Sequence, residues 1–146
     1  MNAEQEMTAQ QQIISTTIAM AVLADRREWD ALTTIFTNEV RSDYTALTGG
    51  EPSTVRASDL VAGWKEGLSA FTATQHLVTN HEVVITGDHA EVRAYFQATH
   101  CKPDQTLWIL GGRYHYTVEK QADRWRISAI TMTPLWARDE RNTYGK

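Results

Sequence analysis

Apolar side chains in the first 70 residues recur at the spacing of amphipathic helices. Thr8 and Gln11 have the spacing of a capping box, so we predict a first helix from Thr8 to about Arg27. Its apolar residues share one face, which we expect to pack against the core: Ile14, Ile18, Ala21 and Val22.

Two further helices are predicted before residue 72. The second starts at Trp29 and has an apolar repeat formed by Leu32, Ile35 and Phe36. A strand is predicted from Val40 to Leu47. Ser58 is the expected N-cap of the third helix, which ends near Phe71. The apolar stripe of this helix consists of Leu60, Val61, Trp64 and Leu68.

From Thr72 onwards the apolar pattern changes to the alternation that is typical of strands. The clearest strand runs from Ala90 to His100, and the turn at Gly87-Asp88 pairs it with a strand from Glu82 to Ile85. Two more strands run from Thr106 to Glu119 and from Trp125 to Thr133. Helices followed by an antiparallel meander predict an α+β fold, in which three N-terminal helices pack on one face of a curved sheet. Such a fold leaves a conical space that is open at one end.

Composition favours one domain of ordinary size. The chain has 146 residues, of which 42% are hydrophobic and 22% are charged, so it can bury a core without disulfides or metal ions. We expect a single domain over residues 1–146, with its core from about residue 8 to residue 134. A polar N-terminus and a charged C-terminal tail flank this core.

Charge and cysteine content exclude several classes of partner. The formal net charge is -4, and no basic stripe is present to bind nucleic acid. The N-terminus lacks the basic start of a secretory signal, and the stretch from Met7 to Ala24 is too polar to span a membrane. The single cysteine, Cys101, fits a reducing cytoplasm, which we expect to be the location of the protein.

Two ionisable residues are candidates for acid-base chemistry. His100 ends the apolar face of the clearest strand, and Asp25 stands at the end of the first helix, where the helix dipole disfavours a carboxylate. The alternatives are a core histidine bonded to backbone and a solvated carboxylate paired with Arg26 or Arg27. The alternation leaves the facing of His76 ambiguous. The remaining histidines are expected at exposed or edge positions: His81, His89 and His115.

Other kinds of site have less support in the sequence. No His-Glu-x-x-His motif and no carboxylate-rich loop indicates a metal site. No glycine-rich phosphate loop follows a strand, and Gly111-Gly112 within a strand indicates a bulge or a bend of the sheet. No serine has the setting of a nucleophile elbow. We therefore expect neither a metal ion nor a cofactor.

Five short segments, taken in order, carry a resemblance to a known family. They are Asp25-Arg26-Arg27-Glu28-Trp29-Asp30-Ala31-Leu32, Arg41-Ser42-Asp43-Tyr44, Thr74-Gln75-His76, Thr99-His100 and Arg124-Trp125-Arg126-Ile127. Together they resemble the SnoaL-like branch of the nuclear-transport-factor-2-like superfamily, and within it the scytalone dehydratases most of all. The segment Ile109-Leu110-Gly111-Gly112-Arg113-Tyr114 is also similar to hexachlorocyclohexane dehydrochlorinase.

The resemblance implies roles for individual residues. His76 would be the acid or base, Asp25 the carboxylate that orients a histidine, and His100 a second acid, base or polarising group. Tyr44 would donate a hydrogen bond to the substrate. We expect the substrate pocket to be lined by four aromatic residues: Trp29, Phe96, Trp108 and Tyr114.

These roles predict a cofactor-free lyase that acts on a small hydrophobic carbonyl compound, most simply a dehydratase. A polyketide cyclase or an isomerase using the same pocket is an alternative, and so is a non-catalytic binding or assembly module. An epoxide hydrolase would need an Asp-Arg-Asp trio, but Arg93 is predicted to face away from the apolar stripe.

The predicted sheet has an outer face that three helices cannot cover. Tyr95, Arg113 and Trp125 are expected on that face. Bare sheet faces usually find a partner, so we expect a homodimer or a higher homo-oligomer.

Overall fold

The computed structural model describes residues 1–140. Within these residues, four helices and six strands follow one another. They are α1 (Ala3–Asp25), α2 (Trp29–Thr33), β1 (Phe36–Asp43), α3 (Thr45–Thr48), β2 (Ser53–Arg56), α4 (Ala57–Leu68), β3 (Ala73–Thr86), β4 (His89–Cys101), β5 (Leu107–Gln121) and β6 (Arg124–Asp139). The three predicted helices correspond to α1, α2 and α4, and α3 is an additional single turn.

All strands belong to one curved sheet with the order β2-β1-β6-β5-β4-β3. Strands β3 to β6 form the predicted antiparallel meander, whereas β1 runs parallel to β6 and pairs with β2 at the edge. The predicted α+β class, with N-terminal helices against a curved sheet, is confirmed.

Helix α1 begins earlier than predicted and presents a different face. Its capping box is formed by Asn2 and Gln5, and not by Thr8 and Gln11. Ile18 and Val22, expected inside, are 39% and 37% exposed. The buried residues are Ala9, Ile13, Thr17, Met20, Ala21 and Ala24. Hydropathy alone missed this face because much of it consists of alanine and threonine, whose small side chains let the helix approach the sheet closely.

Several predicted boundaries after α2 are also wrong, and one of them is the start of β3, which is Ala73 and not Glu82. The strand predicted from Val40 to Leu47 ends at Asp43, whose carboxylate accepts hydrogen bonds from the backbone and the hydroxyl of Thr45. These bonds start the turn of α3. Ser58 lies inside α4, because Arg56, with extended backbone, occupies the N-cap position.

The alternation predicted for β4 is confirmed by burial. Ala90, Val92 and Phe96 are at most 4% exposed, and their neighbours Arg93 and Tyr95 lie on the outer face.

Trp125, which we expected on the outer face, is only 7% exposed and belongs to the core. The reason is its place at the start of β6, opposite Lys120, where α1 packs over the inner face of the sheet.

Gly111 and Gly112 mark the bulge that their sequence indicated. The pairing of β5 with β6 shifts register between these two glycines. A side chain at Gly111 would overlap the Trp136 indole, and one at Gly112 would meet the Phe96 ring and the Thr133 carbonyl. The sheet therefore bends where only glycine fits.

Strand β6 continues to Asp139, past the expected end of the core at residue 134. Residues 141–146 of the predicted charged tail lie outside the described residues. Among the described helices, none combines the length and the apolar character that crossing a membrane requires.

Candidate active site

Asp25 is the last residue of α1 and accepts three hydrogen bonds from strand β3. The Thr74 hydroxyl donates to Oδ1 over 2.9 Å, and the backbone N–H of His76 donates to Oδ2 over 2.7 Å. The Nδ1 atom of His76 lies 2.7 Å from Oδ1. These donors offset the unfavourable helix dipole that acts on a carboxylate at this end of a helix.

The electrostatic balance at Asp25 favours the carboxylate form. Burial would raise the pKa of Asp25, but the hydrogen bonds and the charge of His76, with the bond from Thr74, lower it below the ordinary value. Neither neighbouring arginine is its partner: Arg26 pairs with Glu28, and Arg27 donates to the Phe71 carbonyl. The alternative of a solvated carboxylate paired with these arginines is therefore wrong.

His76 faces inwards, which settles the ambiguity left by the sequence. Pairing of β3 with β4 places Thr74 opposite His100 and His76 opposite Ala98, on the inner side of the sheet. A carboxylate can only accept, so Nδ1 of His76 carries the proton directed at Asp25. In the neutral ring, Nε2 then keeps a free lone pair. The side chains of His76 and Asp25 remain 14% and 19% exposed.

His100 lies beside this pair and is buried. Its ring centroid is 5.8 Å from that of His76. Nδ1 donates to the Trp108 carbonyl over 3.1 Å, because a carbonyl cannot donate. Burial lowers the pKa of His100, and this effect outweighs the backbone hydrogen bond that favours the charged ring. His100 is thus buried and bonded to backbone through Nδ1, and its neutral ring leaves Nε2 as an acceptor beside His76.

Two aromatic rings contact His100, which lies beside His76. The ring of Trp108 stacks on His100 with centroids 4.3 Å apart, and Phe71 contacts His100 at 4.9 Å. Phe71 also stacks on Trp108 at 6.1 Å. The predicted lining residue Trp108 is therefore at the site, and Phe71 was missed because its segment was assigned only as the end of a helix.

The predicted residues Tyr44, Phe96 and Tyr114 form a second group of rings. Phe96 stacks on Tyr114 at 4.3 Å, and the Tyr44 ring contacts Trp64 edge-on at 6.2 Å. Burial raises the pKa of both tyrosines, and each phenol influences the ionisation of the other. The negative charge of Asp25 further raises the pKa of Tyr114, which connects this group to Asp25.

Trp29 is not joined to these groups by any hydrogen bond or ring contact found among residues 1–140. It packs against the core at the start of α2.

Thr74 and Trp64, by contrast, were not predicted to belong to the site. Thr74 shares the inner face of β3 with His76, two residues away, and this alternation is the signal that could have identified it.

The other three histidines lie elsewhere. His81 lies in the edge strand β3, as expected, but it is partly buried, because the α1 residue Thr17 packs against it with 2.9 Å between the hydroxyl and Nε2. Burial lowers the pKa of His81. His89 and His115 both contact the Glu91 carboxylate on the outer face, as the alternation predicted for His115.

No group of three metal-binding side chains of the histidine, cysteine and acidic types has a suitable arrangement within residues 1–140.

The conical pocket stays a prediction. A separate open groove of about 1100 Å³ is lined mainly by residues of α2, β1, the start of α4 and the start of β6, and none of the predicted site residues lines it.

Solved structures with the same architecture are numerous. The Kfla4162 protein from Kribbella flavida has a TM-score of 0.88 and 30% identity, with 91% of this chain and 95% of that chain covered. A candidate scytalone dehydratase from Novosphingobium aromaticivorans has a TM-score of 0.84 and 18% identity, covering 94% and 91%. A type 2 hexachlorocyclohexane dehydrochlorinase (LinA) has a TM-score of 0.80 and 10% identity, covering 94% and 93%.

The comparison with curated proteins gave no match. The family model of the SnoaL-like domain, however, matches residues 5–131 and so covers most of the chain. Its extent agrees with the α+β fold and with the nuclear-transport-factor-2-like architecture of the structural relatives. The chain belongs to the SnoaL-like domain family.

Proposed function

We propose that this protein is a cofactor-free lyase, most simply a dehydratase, acting on a small hydrophobic carbonyl compound. The observation that carries the proposal is the hydrogen bond between His76 and Asp25, which leaves Nε2 of His76 free as a base. Two further observations support the proposal: the neutral ring of His100 lies beside that base, and the charge of Asp25 acts on the buried phenol of Tyr114.

The first step would be proton removal from a carbon next to the carbonyl group. Nε2 of His76 accepts this proton, and the charge of Asp25 stabilises the imidazolium that forms. The electron pair of the broken C–H bond moves towards the carbonyl oxygen. Tyr44, whose raised pKa keeps its hydroxyl protonated, donates a hydrogen bond to that oxygen.

The second step would expel a hydroxyl group from the neighbouring carbon. His100 is neutral and its Nδ1 proton is directed at Trp108, so its Nε2 can accept from the substrate hydroxyl and orient it. The proton that the leaving oxygen needs comes from the imidazolium of His76. One histidine thereby acts as base and then as acid, and water leaves as the carbon–carbon double bond forms.

Two relatives support an elimination. The names of the scytalone dehydratase candidate and of the dehydrochlorinase describe removal of water and of hydrogen chloride, respectively. Their identities of 18% and 10% establish a common fold, so the reaction class is part of our proposal for this chain. No cofactor is required, because the substrate carbonyl itself accepts the electron pair.

A direct test uses a panel of cyclic β-hydroxy ketones, with the conjugated enone product followed by its ultraviolet absorbance. The parent protein should turn over at least one member. His76→Ala should reduce the rate by about 100- to 10,000-fold, as loss of a general base does. His89→Ala, which alters a half-exposed histidine on the other face of the sheet, is the matched control. Equal activity of the His76 variant and the parent would refute the role of His76.

Proton exchange in heavy water separates the alternatives. A lyase, a cyclase and an isomerase would all exchange the carbon-bound proton of a β-hydroxy ketone, since all need the same base, but only the lyase would release water. A binding or assembly module would bind the ketone without exchange. Exchange that depends on His76 but gives no elimination product would favour the cyclase or isomerase.

We further propose that the outer face of the sheet mediates self-association. Leu77 and Tyr95 are 53% and 51% exposed there, and Trp136 is 48% exposed. The side chains of Arg113 and Arg93 lie among them. An exposed apolar face of this kind, bordered by charges, is typical of an interface between subunits.

The single cysteine, Cys101, agrees with a location in the reducing cytoplasm.

A further inference from the structure

Tyr116 has a buried hydroxyl that no residue of the described part of the chain satisfies. The residue lies on β5 between Val92 of β4 and Ile130 of β6, on the inner face of the sheet, and its exposure is 0%. Within residues 1–140 the hydroxyl has no hydrogen-bond partner. Because a buried polar group without a partner destabilises the fold, a phenylalanine here would be the better choice for packing alone.

The surroundings of this hydroxyl belong to the proposed active site. Tyr114, two residues earlier on the same face, has its ring centroid 5.4 Å from that of Tyr116. Burial raises the pKa of Tyr116, and the phenols of Tyr114 and Tyr44 raise it further, so the three phenols lie near one another. Tyr116 therefore stays protonated at neutral pH and can donate.

The rings around these phenols are apolar. Phe96 covers one side of Tyr114, and Trp64 contacts both Tyr44 and Phe36. A ligand that fits among them is mainly a flat apolar ring system. Its oxygen would meet phenol hydroxyl groups, which favours a carbonyl or enolate oxygen over a phosphate or a sulfate.

We propose that Tyr116 is a further specificity-determining residue, which donates a hydrogen bond to a carbonyl oxygen of a small, flat, apolar ligand bound beside Tyr44 and Tyr114. The proposal deepens the function proposed above and rests on it for the location of the ligand. It also explains why a tyrosine occupies a fully buried position, since the ligand provides the partner that residues 1–140 do not provide.

The test compares two probes with the same carbon skeleton, 1-indanone and indane, of which only the first has a carbonyl group. Dissociation constants are measured by NMR titration for the parent, for Tyr116→Phe and for the control Tyr95→Phe, in which a half-exposed tyrosine of the outer face is altered. The carbonyl stretch of ¹³C-labelled 1-indanone is recorded by infrared difference spectroscopy, because a donated hydrogen bond lowers its frequency.

We expect Tyr116→Phe to bind 1-indanone about 5- to 10-fold more weakly than the parent, as loss of one hydrogen bond predicts, and to bind indane equally well. The carbonyl frequency of bound 1-indanone should rise in this variant and stay unchanged in Tyr95→Phe. Without ligand, Tyr116→Phe should be at least as resistant to urea as the parent.

Three results would overturn the proposal: no binding of 1-indanone at millimolar concentration, an unchanged affinity and carbonyl frequency in Tyr116→Phe, or a loss of stability in ligand-free Tyr116→Phe. The last result would mean that a partner inside the protein, such as a buried water molecule, already satisfies the hydroxyl. These measurements do not require turnover, so failure of the proposed elimination and failure of the Tyr116 proposal can be told apart.

Discussion

Nδ1 of His76 lies 2.7 Å from Oδ1 of Asp25, although the two residues are 51 positions apart in the chain. The helix end and the strand that carry them are held together by two more bonds to the same carboxylate, from Thr74 and from the His76 backbone. Asp25 therefore both orients the imidazole and fixes α1 on β3. Catalysis and stability should depend on the same side chain, and the two contributions can be measured separately.

The contribution of Asp25 to stability should depend on pH. Its folded pKa lies below the ordinary value, so its stabilising effect is present above the unfolded-state pKa of about 4 and is lost as the pH falls through the folded value. Asp25→Asn should therefore be less stable than the parent at neutral pH, and this difference should shrink in acid. Urea unfolding at a series of pH values measures it. A difference that stays constant into strong acid would show that the Asp25 carboxylate is not stabilised by the fold.

Thr74 should contribute to stability through its hydrogen bond to the carboxylate. Thr74→Val keeps the branched shape and removes the hydroxyl, and hydrogen bonds to charged groups are worth about 1.5–3 kcal/mol. We expect a loss of unfolding free energy of that size. Thr79→Val, at an exposed position of the same strand, is the matched control and should be nearly neutral. Equal stability of the two variants would mean that the bond is not formed in solution.

Sequence patterns predicted the sheet better than they predicted the first helix. Alternation in β4 is unambiguous, because every second residue is apolar and the strand is covered on one face only. In α1 the inner face carries Ala9, Thr17 and Ala24, so hydropathy does not distinguish it from its flanks. A close approach to β3 determines which side is inside, and that contact involves residues far apart in sequence.

The candidate site was predictable only in part, for a related reason. The unfavourable position of Asp25 at a helix end correctly indicated that it has a partner. That this partner is His76 depends on the register of β3 against β4, and no local sequence pattern predicts this register. The unpartnered hydroxyl of Tyr116 was likewise invisible, because burial of a tyrosine in an alternating strand looks the same whether or not its oxygen is satisfied.

Turnover should survive removal of metal ions. The donors around the proposed base are a carboxylate, two histidines and phenols, and the carboxylate is already engaged by three hydrogen bonds. Exhaustive dialysis against a chelator should therefore leave the rate on a β-hydroxy ketone unchanged. Loss of activity that zinc restores would show that Asp25, His76 and His100 act as ligands, and the acid-base mechanism would then be wrong.

Self-association should depend on the outer face of the sheet. Sedimentation of the parent at micromolar concentration should show a dimer or a larger assembly. Replacing exposed Tyr95 by a glutamate should weaken it, because a charge there disfavours burial of the apolar face. Val22→Glu, at a half-exposed position of α1, is the control and should not change the assembly. A monomeric parent would contradict the interface.

Gly112 should be intolerant of any side chain because of its place under Phe96. A Cβ atom added there would lie 2.8 Å from the Phe96 ring and still closer to the Thr133 carbonyl. Overpacking of this kind costs about 1–3 kcal/mol, and since Phe96 stacks on Tyr114, the strain should also displace a proposed substrate-binding tyrosine. Gly112→Ala should therefore lower both the unfolding free energy and the affinity for 1-indanone. Gly63→Ala is the matched control, because a Cβ atom at this position of α4 meets nothing and alanine favours a helix by about 0.5–1 kcal/mol over glycine. If both substitutions stabilise the protein, the close approach of β5 to β6 at the bulge is not maintained in solution.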